Sequence, residues 1–336
     1  MSKYVITGGA GFIGSLLGKE LIDEGHDITW MDDLSFGYLE NIQDKTGSVP
    51  TNFIQGDICT QDMKPLFEGA DAVFHFAAIS ALPVCQSEPG RAFDVNVGGT
   101  AKVLEACRQV GVPKVVFAST SAIYENNTNF PCGEDDDVAP SLIYAQTKLA
   151  AERLCRSFVD VYGMNVSMTR YYNVYGPHQD VRRKSPPFTA YVIRELLANR
   201  QPTLYSDGKQ SRDYVHVQDV NRLNRLCVSH PAAKGQVFNV ASGRSYSVNE
   251  LYGLIATAVG TNMVPEFKSA KSFWDAYPAL YKAAYPLQPE KLEAEVNKFS
   301  LGSTEKAERL IGWRTEISIE DGIRQTVERC RTILKA

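Results

Sequence analysis

Tyr144 and Lys148 stand four residues apart in "YAQTK", a spacing that places a phenol and an amine on one helix face. A tyrosine with an ordinary pKa near 10 is a poor base at neutral pH, and an adjacent ammonium lowers that pKa. Upstream, "FASTSAIYENN" (Phe117 to Asn127) carries three neighbouring hydroxyls out of the apolar run "KVVF". The carboxyl ends of parallel strands line ligand crevices, so the hydroxyl of Thr120 can reach a substrate oxygen. Ser119 and Ser121 are expected only to cap local backbone. A base, its charged partner and a hydroxyl are the parts needed to move a proton on and off a substrate oxygen.

Such parts need elements to hold them. Short β-branched runs ("YVIT", "DITWM", "NFIQGD", "AVFHFAA", "KVVFAST") alternate with helical patterns such as "GGTAKVLEACRQVG". That alternation predicts βαβ units around a buried parallel sheet. Right-handed crossovers make it a doubly wound α/β fold of Rossmann type. Between the first strand and the first helix, "YVITGGAGFIG" supplies Gly8, Gly11, Phe12, Ile13 and Gly14. The glycines allow a tight turn and close approach of backbone to a pyrophosphate at the helix amino terminus. Asp32 ends the second strand in "ITWMDDL", where a carboxylate accepts from ribose hydroxyls and repels a 2′-phosphate. The expected cofactor is therefore NAD rather than NADP, and its cationic nicotinamide ring is a second influence lowering the Tyr144 pKa. Asp57 and Ile58 of "GDI" fall where an adenine edge would sit, and Ala77 and Ala78 of "FAA" beside the pyrophosphate.

The composition excludes several classes. The net charge is −4 and the basic residues are scattered, so no nucleic-acid footprint is visible. Seven dispersed cysteines without a CxxC argue for free thiols, not a zinc site or a disulfide framework. No metal cluster of histidines is visible. "MSKYVITGG" enters a strand directly and no apolar run approaches a membrane span, so a cytoplasmic protein with no membrane partner is expected. After about Gly176 the texture changes to a turn-rich loop, short strands ("TLYSD", "DYVHV", "VFNVAS") and an aromatic-rich stretch from Lys268 to Phe299. Residues 1–176 are expected to form the NAD-binding domain, with about 210–242 returning to it. Residues 177–336 would form mainly a smaller α/β substrate lobe.

Ten motifs in order carry a resemblance: TGGAGFIG, MDDL, GDI, HFAA, NVGGT, FASTSAIY, YAQTK, RYYNVYGP, SRDYVHVQDV and FNVASG. The chain resembles an extended short-chain dehydrogenase/reductase, within the nucleotide-sugar 4-epimerase group of the NAD-dependent epimerase/dehydratase family. The resemblance implies that Thr120 hydrogen-bonds the sugar O4, that Tyr144 is the base, and that Lys148 is its pKa partner and a ribose ligand. It implies that Asn96 helps hold the nicotinamide side. Asn173 would face the substrate, and Arg212 would pair with its diphosphate as a bidentate donor. It also implies a homodimer through helices near residues 90–110 and 143–162, with Leu104, Leu149 and Leu154 as apolar candidates.

Within the family, 4,6-dehydratases and uronate decarboxylases place carboxylates just after the active-site Thr, where this chain has Ser121 and Ala122. Uronate 4-epimerases tend to carry Thr at the place of Asn173. The resemblance therefore implies 4-epimerisation of a neutral hexose or N-acetylhexosamine, with UDP as the family default. Ser300 falls at the position that gates the C2 pocket, and its small side chain leaves room for an acetamido group. Glu293 and Val296 stand where the family usually has Arg and Asp, and Lys298 could supply a charge. The alternatives are a net dehydrogenase or reductase, a uronate enzyme, or an NAD-sensing binding protein.

Overall fold

The computed structural model describes residues 1–183 and 186–335. Twelve strands occur among them: β1 (Lys3–Thr7), β2 (Asp27–Asp32), β3 (Phe53–Gln55), β4 (Ala72–His75), β5 (Val115–Thr120), β6 (Val166–Tyr171), β7 (Asn173–Tyr175), β8 (Thr203–Tyr205), β9 (Ser211–His216), β10 (Val237–Val240), β11 (Ser245–Ser247) and β12 (Glu266–Lys268). Seven form one sheet in the order β10-β6-β5-β4-β1-β2-β3, and every pairing in it is parallel. The chain runs outward from β1 in one direction and then from β4 in the other. That reversal opens the crevice in which doubly wound folds take their ligands. The fold is the Rossmann-type α/β architecture expected from the alternating runs.

The five expected strands all form; β4 and β5 are buried along their whole length, whereas β3, at the sheet edge, is only partly covered. β6 escapes the apolar pattern because Ser167, Thr169 and Arg170 interrupt it, yet all three are buried. Their polar groups are satisfied internally: Ser167 donates to Ala233 O, Thr169 to Phe117 O, and Arg170 to Glu152. Of the stretch 210–242, the helix Val217–Ser229 and β10 lie with the large sheet. β9 instead pairs with β7 and β11 in a separate three-stranded sheet, and β8 pairs with β12.

Two helical elements position the chemistry. The helix Ile143–Tyr162 carries Tyr144 and Lys148 on its first two turns. The other expected helix is broken in three: Pro89–Phe93, a wider π-type turn Asp94–Gly99, and Thr100–Val110. At Gly99 an added Cβ would lie 2.5 Å from the Ile58 side chain, which would have to shift to admit it. Two of the three leucines named for a dimer face, Leu104 and Leu149, are corrected here. Leu104 and Leu149 are buried in the chain's own core, and Leu154 packs against it, because their helix faces cover the sheet.

A buried polar network lies under that helix. Glu152, two turns after Tyr144, pairs with Arg170 of β6 at 2.9 Å and also accepts from Ser119 of β5. Arg170 continues to the Tyr124 hydroxyl and to Glu134 O, and Tyr124 reaches Asn239 of β10. Removing one member of a buried ion pair leaves the other charge uncompensated. Arg170→Met is therefore expected to lower stability by about 3 kcal/mol in urea melts, and Arg170→Met/Glu152→Leu to recover most of that loss.

Candidate active site

The glycine loop forms one wall of a cleft of about 320 Å³. Gly8 has φ +71°, and a Cβ there would lie 2.7 Å from Ala77 N; at Gly14 it would lie 2.5 Å from Gly8 O. Gly11 caps the helix Phe12–Asp23 without a side-chain bond, which leaves the first-turn N–H groups available to an anion. Asp32 is mostly buried in the same wall. Its Oδ2 accepts from Ala10 N at 3.0 Å and its Oδ1 from Leu34 N at 2.8 Å. Burial raises its pKa, and those two amides oppose the rise. Phe12, Ile13, Asp57, Ile58, Ala77, Ala78 and Lys148 line the cleft as well. The residues present fit a dinucleotide: a cradle too tight for side chains, a free helix terminus and a buried carboxylate.

Asn96 is the exception and is corrected. It does not line the cleft, because its amide is spent elsewhere: Ile79 N donates to its Oδ1 at 2.8 Å, and its Nδ2 donates to Ile79 O and Thr147 Oγ1. It holds the Ile79 backbone, which does line the cleft, and it is aimed there by the wide turn Asp94–Gly99.

Thr120, Tyr144 and Lys148 meet at the strand ends. Tyr144 lines both the cofactor cleft and an adjoining cavity of about 190 Å³ that also includes Thr120. Thr120 caps the following 3-10 turn, accepting from Ala122 N at 3.1 Å. Burial pushes the Tyr144 phenol up to about 12, and the Thr120 hydroxyl acts the other way. Burial holds Lys148 down at about 8, and its ammonium lies 4.3 Å from the centre of the Phe117 ring. In the protein alone desolvation is the leading influence on the phenol, ahead of Thr120 and Cys85.

On the substrate side, Asn173 and Ser300 both line the smaller cavity. Asn173 donates to Asp213 O at 3.0 Å, and Ser300 is held by its N–H to Ser211 O at 3.1 Å. Arg212 is differently placed than expected. Its guanidinium donates to the carbonyls of Glu295 (2.9 Å), Val296 (3.0 Å) and Lys298, at the end of the helix Pro289–Asn297. Helix carboxyl ends leave carbonyls unsatisfied, and a guanidinium supplies several donors at once. Glu293 is exposed on that helix; the charged residues it and its exit bring to the smaller cavity are Glu295 and Lys298.

Several lining residues carried no sequence signal. Gln179, Asp180 and Arg183 close the cofactor cleft from the irregular loop after β7. A third hollow of about 480 Å³ adjoins the smaller cavity through Asn173 and Glu295, and is lined by Arg183, Arg194, Arg212, Tyr205, Phe273 and Tyr277 among others. Asp213, next to Arg212, accepts from Ser242 N, Gly243 N and Gly302 N, which ties two loops to β9 beside Ser300. Only Asp213's place in "SRDY" could have drawn attention to it.

Known proteins share this fold. Residues 4–241 match the profile of the NAD dependent epimerase/dehydratase family. A UDP-glucose 4-epimerase of Mycolicibacterium smegmatis is 34% identical over 329 residues, 97% of each chain. Among solved structures, the UDP-glucose 4-epimerase of Thermotoga maritima with UDP-glucose superposes with TM-score 0.85 at 31% identity, covering 99% of both chains. The UDP-N-acetylglucosamine 4-epimerase of Methanobrevibacter ruminantium with UDP-N-acetylmuramic acid also gives 0.85, at 28% identity over 100% of this chain and 99% of the other. With its glycine cradle, Asp32, and the Tyr144 and Lys148 pair in the family's order, the chain belongs to the NAD dependent epimerase/dehydratase family.

Proposed function

We propose that the protein interconverts C4 epimers of a UDP-linked neutral sugar, UDP-GlcNAc/UDP-GalNAc and/or UDP-Glc/UDP-Gal, through a transient 4-keto sugar. The observation that carries this is the convergence of Thr120 and Tyr144 where the cofactor cleft opens into the smaller cavity. When bound, NAD supplies the hydride acceptor and donor at C4 and a positive charge beside the phenol. Tyr144 takes the O4 proton and gives it back. Thr120 hydrogen-bonds O4, while Lys148 holds the ribose and steadies the phenolate. The keto sugar turns over in the cavity between the two transfers. Ser121 and Ala122, next to Thr120, offer no carboxylate for an elimination. The nucleotide half is assigned to the hollow of arginines and aromatic rings, and the assembly to a cytoplasmic homodimer.

Tyr144→Phe removes only the proton acceptor. It is expected to keep bound NAD and lose nearly all epimerisation, measured by product NMR on UDP-glucose and UDP-N-acetylglucosamine. Thr120→Ala is expected to cost about 100-fold in kcat, within the range for a lost hydrogen-bonding partner. Near-normal turnover by Tyr144→Phe defeats the assignment.

Ser300 is expected to admit the acetamido group. Ser300→Tyr should then lose UDP-GlcNAc/UDP-GalNAc activity selectively while UDP-Glc activity persists. Equal losses on both pairs would show that this position is not the gate.

Burial of Lys148 also has a pH signature. Its pKa is about 8 in the fold against 10.5 for a free lysine, so between those values the unfolded chain holds a proton that the folded chain has lost. Its contribution to stability therefore rises with pH across that window and is least favourable below about 8. In NAD-free protein, Lys148→Met should be more stable than wild type by about 2–3 kcal/mol at pH 7, and by much less at pH 10. Urea midpoints at the two pH values check this, and an identical difference at both would contradict it.

A further inference from the structure

The helix that carries the base begins without a cap of its own. Ile143 and Tyr144 are its first two residues, and the flanking Leu142 has no side-chain oxygen to receive the first N–H groups. The first residue is not a proline, so its N–H needs an acceptor. Two distant side chains supply what the helix start lacks. Ile143 N donates to Gln86 Oε1 at 2.6 Å, from a residue fifty-seven positions upstream. Leu142 N and Ser141 N donate to Glu125 Oε2 at 3.0 and 2.8 Å, and the Ser141 hydroxyl adds a bond of 2.9 Å.

Both acceptors belong to elements that border the site. Glu125 ends the 3-10 turn that Thr120 caps, so it ties the strand end bearing Thr120 to the start of the helix. Gln86 belongs to the short helix Leu82–Ser87, which follows Ile79 and Ser80 of the cofactor cleft. That short helix is itself anchored. Leu82 packs against the cluster of Trp274, Leu280 and Leu292, and the buried Cys85 Sγ donates to Ile79 O at 3.3 Å. Ile143 and Tyr144 pack against the cluster that Cys85 forms with Ile79 and Ala92. Gln86 thus offers its oxygen from a fixed place, one residue from the base. Gln86 itself lies outside the linings of the cofactor cleft, the smaller cavity and the adjoining hollow.

We propose that Gln86 is a positioning residue for Tyr144: by holding the Ile143 N–H it fixes the first helical turn, so that the phenol meets the sugar O4 beside Thr120. The proposal rests on the epimerase assignment above and deepens it by naming a residue that aims the base without touching the substrate. A first turn with an unmet N–H frays, and a misplacement of about 1 Å at the reacting groups is enough to cost about 100-fold in rate. The groups lining the hollow assigned to the nucleotide are untouched by such a change, so the loss falls on turnover and not on binding.

The test compares NAD-loaded wild type with Gln86→Leu and Gln86→Glu on UDP-glucose and UDP-N-acetylglucosamine, with product followed by NMR and bound NAD and Tm recorded for each protein. Leucine keeps much of the bulk and has no acceptor. Glutamate keeps an acceptor for Ile143 N, and its charge suits a helix amino terminus. Gln86→Leu is expected to lose about tenfold or more in kcat with KM little changed, NAD content equal to wild type and Tm within a few degrees of it. Gln86→Glu should keep kcat within a few-fold of wild type. If Gln86→Leu folds poorly, Gln86→Ala removes the same acceptor without adding apolar bulk and should show the same loss in kcat. An unchanged kcat in the acceptor-free variant overturns the proposal. So does a loss carried by KM, one that follows loss of bound NAD, or one that Gln86→Glu shares. Wild type inactive on both sugars overturns the epimerase assignment and this proposal with it, whereas active wild type beside an equally active acceptor-free variant overturns the proposal alone.

Discussion

The ion pair between Glu152 and Arg170 is the interaction on which the site depends. It joins the long helix to β6 and takes in Ser119 of β5 and, through Tyr124, Asn239 of β10. Thr120 is the neighbour of Ser119, while Lys148 and Tyr144 precede Glu152 by one and two turns. Each group assigned to proton transfer is therefore one or two residues, or one or two helical turns, from a member of this network. A buried pair of this kind contributes little net stability against an apolar alternative. Its value here is geometric, because it fixes the separation between a strand end and a helix start that meet only through side chains.

That rigidity has an electrostatic counterpart. The same burial that orders Tyr144 and Lys148 disfavours the charged form of both, raising the phenol and lowering the ammonium. In the protein alone both groups are thereby drawn towards their neutral forms. Lys148 leans on the Phe117 ring, which gives the ammonium a partial substitute for lost water.

The fold and the cofactor cleft were legible in the sequence because their signals are local. A glycine loop, a strand-ending carboxylate and a four-residue Tyr–Lys spacing each specify geometry within a few residues, and all of them line the cleft or the adjoining cavity. What was not legible depends on distant partners. Asn96 meets the cleft only through the Ile79 backbone that it holds, and the Arg212 guanidinium is bonded to the carbonyls of a helix more than eighty residues later. Leu104 and Leu149 present an apolar stripe that a sheet and a symmetry mate could equally cover, and the sheet covers them. β6 was hidden by buried polar residues whose partners lie on other elements.

The way Arg212 holds the helix Pro289–Asn297 has an evolutionary side. The guanidinium grips main-chain carbonyls, which every amino acid provides, and no side chain of the segment takes part in that grip. The segment can therefore exchange side chains such as Glu295 and Lys298 without losing its mooring. The mooring and the cavity lining thus use separate atoms of the same few residues. Drift in this stretch can reshape the cavity wall while the strand beneath it stays unaltered.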